Sequence, residues 1–194
     1  MFDEEVEKVT EPHNSAHHVQ RERIELVTPT LDLQGACRAC EDAFIAHNES
    51  FLGQSANDWP AFVLRCAEEA AGRTITPDRV PQSVFILTRI APDGSRAALG
   101  VSKLRHSLTP ALEDAGGHIG YRIRPDERGK GYGTQILALT LPHARDLGLA
   151  RVLLTCDADN IRSARVIMAN GGVLVSEGHS PLRGARVCRY WIAL

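Results

Sequence analysis

Apolar residues recur at helical spacing in the first third of the chain and alternate from residue 83 onward. A short strand is predicted through Ile24-Glu25-Leu26-Val27, stopped by Pro29. Leu33, Cys37, Cys40, Phe44 and Ile45 then share one face of a helix over 33–48. A second helix starts near Asp58, with Pro60 in its first turn and Phe62, Val63 and Cys66 on its apolar side. Trp59 reads as a core plug or part of a substrate wall, core packing being the default for a lone tryptophan.

From Ser83 the period is two. SVFILTRI and AALGVSKLRHSL form a hairpin about the Asp-Gly turn of APDGS. TPALEDAGG is a loop leading into the strand HIGYRI, followed by the polar, Gly-rich RPDERGKGYGT and the apolar helix QILALTLPHARDLGL. Pro142 should bend that helix or remove one backbone hydrogen bond. RVLLTCD is a buried strand, and NIRSARVIMANGG is a helix ending on a Gly pair that suits a C-cap. GVLVSEGH and RVCRYWIAL close the chain as an antiparallel pair. HIGYRI and RVLLTCD, joined by one helix, make a right-handed βαβ unit with parallel strands in a mostly antiparallel sheet. The fold class is therefore α+β.

At 194 residues the chain suffices for one domain with a sizeable core. Residues 1–20 are polar and lack an apolar period, so they are expected to form a flexible leader, with 21–194 as the single domain. His13, His17 and His18 sit in that leader as part of a solvated tail. No apolar run approaches the ~18 residues of a membrane span. The first residues lack a signal-peptide stretch, which places the protein in the cytoplasm. A net charge of −2 argues against a nucleic-acid partner. The five cysteines are irregularly spaced, unlike a secreted disulfide framework. Cys37-x-x-Cys40 lacks the second ligand pair of a structural zinc site, so it reads as two small residues on a helix face and no metal is expected.

The informative chemistry lies in Arg128-Gly129-Lys130-Gly131-Tyr132-Gly133-Thr134, between a strand and a helix. Alternate glycines leave successive N–H groups unshielded, and the helix behind them aims its positive dipole end at the same spot. This is an anion site suited to a pyrophosphate. The string is neither a Walker loop nor a Rossmann G-x-G-x-x-G, and a plain Gly-rich turn is the alternative. Arg128-x-x-Gly131-x-Gly133 after a strand and before an amphipathic helix resembles the central motif of the GNAT superfamily of N-acetyltransferases. The strand–loop–helix–strand–helix order from His118 to Gly172, with Asn160 and Ser163 after the second strand, is similar to that family's core. GGHIGYRIRPDERGKGYGT, TCDADNIRSA and RYWI look like a subgroup of predicted bacterial acetyltransferases. The likeness is strong over residues 83–194 and weak before them.

The resemblance implies a three-layer GNAT-like fold with a central parallel pair splayed to bind acetyl-CoA, the core spanning 118–172. It implies main-chain contacts to pantetheine at Tyr121 and Ile123. Diphosphate would sit on the amides of Arg128, Gly129, Lys130, Gly131, Tyr132, Gly133 and Thr134, and Asn160 and Ser163 would reach the cofactor. Arg124, Arg128 and Lys130 would add positive charge. The reaction would be direct attack of a neutral primary amine on the thioester, with a backbone N–H stabilising the oxyanion. Many family members carry a tyrosine seven residues after the helix-opening asparagine as acid for the thiolate. Here that position is Ile167.

For the base, His118 is the first candidate, since its ordinary pKa near ~6.5 suits proton removal. A histidine capping the Gly116-Gly117 turn is the competing reading. His106 is a weaker alternative, and Glu41 could approach from the first helix, whereas Asp42 and Glu49 fall on its solvent side. A CoA-binding sensor or interaction module with little catalysis is the alternative function. The acceptor, a small-molecule or peptide amine, is not identified, and a homodimer is left open.

Overall fold

The computed structural model describes residues 22–52, 57–73 and 79–194, so the expected leader lies outside the described residues. The period-two segments pair as expected. β1 (Arg23–Val27), β2 (Gln82–Ile90), β3 (Arg96–Arg105) and β4 (Ile119–Ile123) form one antiparallel sheet in the order β1-β2-β3-β4. β5 (Arg151–Asp157), β6 (Val173–Ser180) and β7 (Ala185–Ala193) form a second, in the order β5-β7-β6. The last strand thus inserts between its two predecessors, a placement that no local pattern announces.

Helices cover both faces of the first sheet. α1 (Gln34–Ile45) and α2 (Trp59–Ala70) bury Leu33, Cys37, Cys40, Phe44, Trp59, Phe62 and Cys66 against Val84, Ile86, Ala98 and Val101. Cys37 and Cys40 are core residues, and burial pushes the Cys37 thiol up to about 12. Ile45, expected on the same face, is 60% exposed. Asp58 caps α2 by accepting from the Ala61 N–H, and the Trp59 indole donates to the Thr30 carbonyl, so Trp59 is a core plug.

On the opposite face, α4 (Tyr132–Asp146) lays Leu137, Leu141 and Ala144 across Leu104 and Ile119 of one sheet and Val152 and Leu154 of the other. It continues as one helix through Pro142. α5 (Ile161–Ala169) packs beside it, where Gly133 permits close approach: a Cβ there would lie 3.1 Å from Val166. The result is the expected α+β, three-layer arrangement. Two details differ. TPALEDAGG contains a short helix, α3 (Pro110–Asp114), started by the Thr109 side chain and a proline at its first turn. And the parallel pair is not a ladder: β4 and β5 belong to separate sheets.

Candidate active site

The two sheets touch where β4 begins. The His118 N–H donates to the Leu153 carbonyl at 2.7 Å, and the Leu153 N–H donates to His118 Nδ1 at 2.9 Å. Gly117 makes this approach feasible. Its φ is +63°, and a Cβ would lie 2.4 Å from the Leu153 carbonyl oxygen. Beyond this point the strands part, leaving a cleft of about 710 Å³ between Ile119–Arg122 and Leu154–Asp157. The Arg105 N–H donates to the His118 carbonyl and the Arg124 N–H donates to the Leu99 carbonyl of β3. By the alternation of an antiparallel ladder, the N–H and C=O groups of Ile119, Tyr121 and Ile123 therefore point away from β3, toward the cleft. The Ile123 carbonyl is taken by Arg128 Nε at 3.1 Å, while the outward groups of Ile119 and Tyr121 have no described partner.

The Gly-rich loop follows. Gly129 and Gly131 have φ of +81° and +87°, and Gly131 is the N-cap of α4. Among the described residues, none of the amides from Gly129 to Thr134 has an acceptor. Six consecutive free N–H groups at the start of a 15-residue helix make an anion cradle built from backbone alone. The basic side chains around it are engaged elsewhere. Arg124 pairs with Asp126, Arg128 forks onto Glu49, and Lys130 pairs with Glu127. Glu49, expected to face solvent, thus fastens the loop to the chain just after α1. Tyr132 is partly buried and packs against the cluster of Leu87, Leu99, Ile123 and Ile136.

Inside the cleft, the Tyr121 hydroxyl lies 3.1 Å from Ser163 Oγ. Burial pushes the Tyr121 phenol up to about 12, so it stays protonated. Asn160 caps α5, its Oδ1 accepting from the Ser163 N–H at 3.0 Å, while its Nδ2 has no described partner. Ile167 lines the same wall. The opposite wall is Ser50, Phe51 and Leu52, held by the Glu41 carboxylate, which accepts from the Phe51 and Leu52 N–H groups at 3.1 and 2.8 Å.

A family model for the acetyltransferase (GNAT) domain matches residues 23–173. The chain belongs to the GNAT acetyltransferase family. It is an acyltransferase that uses acetyl-CoA as co-substrate and an amine as acceptor. Similar solved structures share the GNAT fold at low identity. MccE, a microcin self-immunity acetyltransferase in complex with acetyl-CoA and AMP, is 15% identical, with a TM-score of 0.60 over 91% of this chain and 94% of that one. Mycobacterium smegmatis RimJ, in complex with CoA-disulfide, is 19% identical, with a TM-score of 0.62 over 88% and 81%. A spermidine N-acetyltransferase SpeG variant from Vibrio cholerae is 14% identical, with a TM-score of 0.51 over 88% and 94%. No curated protein sequence matches the chain.

For a GNAT enzyme, the candidate bases are poorly placed. His118 is 6% exposed and does not line the cleft. Burial and then Arg105 lower its pKa to about 4, so the ring is neutral. A neutral ring whose Nδ1 accepts a backbone N–H carries its proton on Nε2 and has no second lone pair for an amine proton. His118 is therefore a strand-joining residue, the correction to its expected role as base. His106 bonds Ser83 Oγ at 2.9 Å outside the cleft, and Glu41 is occupied by the 50–52 wall. What sequence reasoning missed is the cationic lining: Lys103 and Arg105 on β3, and Arg122 on β4. The signal was their period-two spacing on adjacent strands.

Proposed function

We propose that the chain acetylates a primary amine, with the pantetheine arm lying between β4 and β5 and the diphosphate on the Gly129–Thr134 amides. The observation carrying this is the combination of two features: a cleft along β4 and β5 beyond the His118–Leu153 junction, and the run of N–H groups from Gly129 to Thr134 that have no described acceptor. The fit to acetyl-CoA rests on that backbone. The Tyr121 peptide offers strand-like bonds to the amides of the arm, and Asn160 Nδ2 offers one more. Residues 118–172 supply this core, and the rest of the 21–194 domain shapes the acceptor side.

Acetyl-CoA supplies an activated acyl group and a thiolate leaving group. Tyr121 Oη is the proton donor for that sulfur. Ser163 orients the phenol, and its raised pKa keeps the proton in place until a base develops. Tyr121 thus takes, from β4, the role that Ile167 cannot fill on α5. This removes the argument for a mere CoA-binding module.

The reaction belongs to the cytoplasm, where acetyl-CoA is made, and five buried free thiols suit a reducing compartment. β6 is a sheet edge with Val173, Leu174 and Val175 exposed, and a second copy would pair there. Thiol release from acetyl-CoA against a panel of amines tests the reaction. Turnover with an amine supports it, and binding of CoA without turnover on any amine rejects it.

A further inference from the structure

We infer that the acceptor carries an anionic group beside its amine, a carboxylate or a phosphate, received by Lys103 and Arg122 on the open face of β3 and β4. The inference rests on the acetyl-transfer reading and specifies its substrate class. In the β3–β4 register, Lys103 lies opposite Gly120 and Val101 opposite Arg122, so Lys103 and Arg122 are diagonal neighbours on one face. Gly120 lies between them as an open floor, since a Cβ there would meet nothing within 4 Å.

Among the described residues, the cations of this face are not paired with carboxylates in ion pairs. Arg105 donates to the Gly116 and Gly117 carbonyls at 3.2 and 2.9 Å, and Arg122 donates to the Ser50 carbonyl. Lys103 makes no hydrogen bond or ion pair with a described residue, and it is partly buried. Among the described residues, Asp157 is the one carboxylate lining the cleft, and it is forked by Arg183. Glu69 of α2 attracts the Lys103 ammonium but is held by Gln82 at 2.7 Å and lies 3.6 Å from Arg79. Burial, then Arg122 and Arg105, depress the Lys103 ammonium.

Like charges on neighbouring strands destabilise a sheet, and an unpaired, partly buried cation adds to the cost. An anion between Lys103 and Arg122 relieves both. The same field disfavours an ammonium, so the acceptor amine enters neutral, the form that attacks a thioester. One surface therefore selects the acceptor and delivers it as the free amine, and the proton its nitrogen sheds on acylation passes to water.

Calorimetry on the CoA-loaded protein compares amines that differ in the anion: O-phosphoethanolamine against ethanolamine, and glycine against glycinamide, with spermidine as the polycation. The anionic member of a pair is expected to bind about ten- to a hundredfold more tightly, the range of one charge-assisted hydrogen bond. Which pair shows it separates phosphate from carboxylate. Lys103→Met, or Arg122→Gln where the first does not fold, should reduce the ratio about tenfold with CoA affinity unchanged. Equal binding within both pairs, tighter binding of spermidine, or an unchanged ratio in the folded variants overturns the inference. Thiol release, measured alongside, reads the parent proposal separately. Anion preference without turnover rejects acetyl transfer and keeps the subsite, whereas turnover without preference does the reverse.

Discussion

Tyr121 and Ser163 meet hydroxyl to hydroxyl, 3.1 Å apart, from β4 to α5. Because the phenol is partly buried and protonated, Tyr121→Phe removes a donor and little volume. Turnover should fall on the order of 10²-fold, the lower end of general acid catalysis, because a thiolate leaves tolerably well unaided. CoA affinity should hold. Ser163→Ala, which only frees the phenol to rotate, should lose less. Steady-state kinetics on both variants would refute the assignment if Tyr121→Phe turned over like the parent.

His118→Gln should keep turnover within a few-fold, since the residue joins strands rather than moves protons. His118→Ala leaves the buried Leu153 N–H unsatisfied and should cost roughly 1–3 kcal/mol by denaturant unfolding.

The same ring sets a pH dependence. With its folded pKa near 4 and its ordinary value 6.5, the unfolded chain takes up the proton first as pH falls. Its contribution to stability is therefore complete above about 6.5 and is lost on acidification toward 4. Unfolding midpoints of parent and His118→Gln should converge across that window, and parallel curves would contradict it.

Gly131→Val and Gly117→Ala should separate binding from folding. At Gly131 a Cβ meets nothing within 4 Å, so the fold survives a strain of about 1–2 kcal/mol while the branched side chain crowds the amides. CoA affinity should drop at least about tenfold. At Gly117 the new methyl strikes the Leu153 carbonyl, so stability should fall by roughly 1–3 kcal/mol or more. Unchanged CoA affinity in folded Gly131→Val would show that the diphosphate lies elsewhere.

Asn160→Ala combines two losses. The N-cap is worth ~1 kcal/mol of stability, and a neutral hydrogen bond to the arm would be worth about 0.5–1.5 kcal/mol of affinity. A stability loss alone, with CoA binding intact, would reduce Asn160 to its capping role.

Legibility in the sequence followed the range of the interactions. Helices, hairpin and glycine loop depend on neighbours a few residues apart, so α1, α2, α4 and the Gly129–Thr134 cradle could be read directly. α3 was also legible, since Thr109 before Pro110 is a helix start, but five residues carry too little apolar period to stand out. Pairings across the fold left no such trace. Arg128 meets a carboxylate 79 positions away, and β7 displaces β6 from β5 through contacts that only the finished sheet defines. His118 was read at the start of its strand, but its role turned on which nitrogen faces Leu153. Lys103 and Arg122 showed only a period-two spacing on adjacent strands, which does not reveal that their face is a cleft wall.

The junction at His118 and Leu153 makes the molecule resemble two pages bound at one corner. Along the rest of that seam the outward amides of β4 have no strand beside them, so the acyl donor would act as the missing stitching as well as the reagent. Saturation with CoA at a hundred times its Kd would add about 2.7 kcal/mol to the folded state. Amide exchange at Ile119 and Tyr121 should then slow sharply when CoA is supplied and quicken when it is withdrawn. An enzyme built this way is firmest when charged, and the discharge of its product also loosens its own frame.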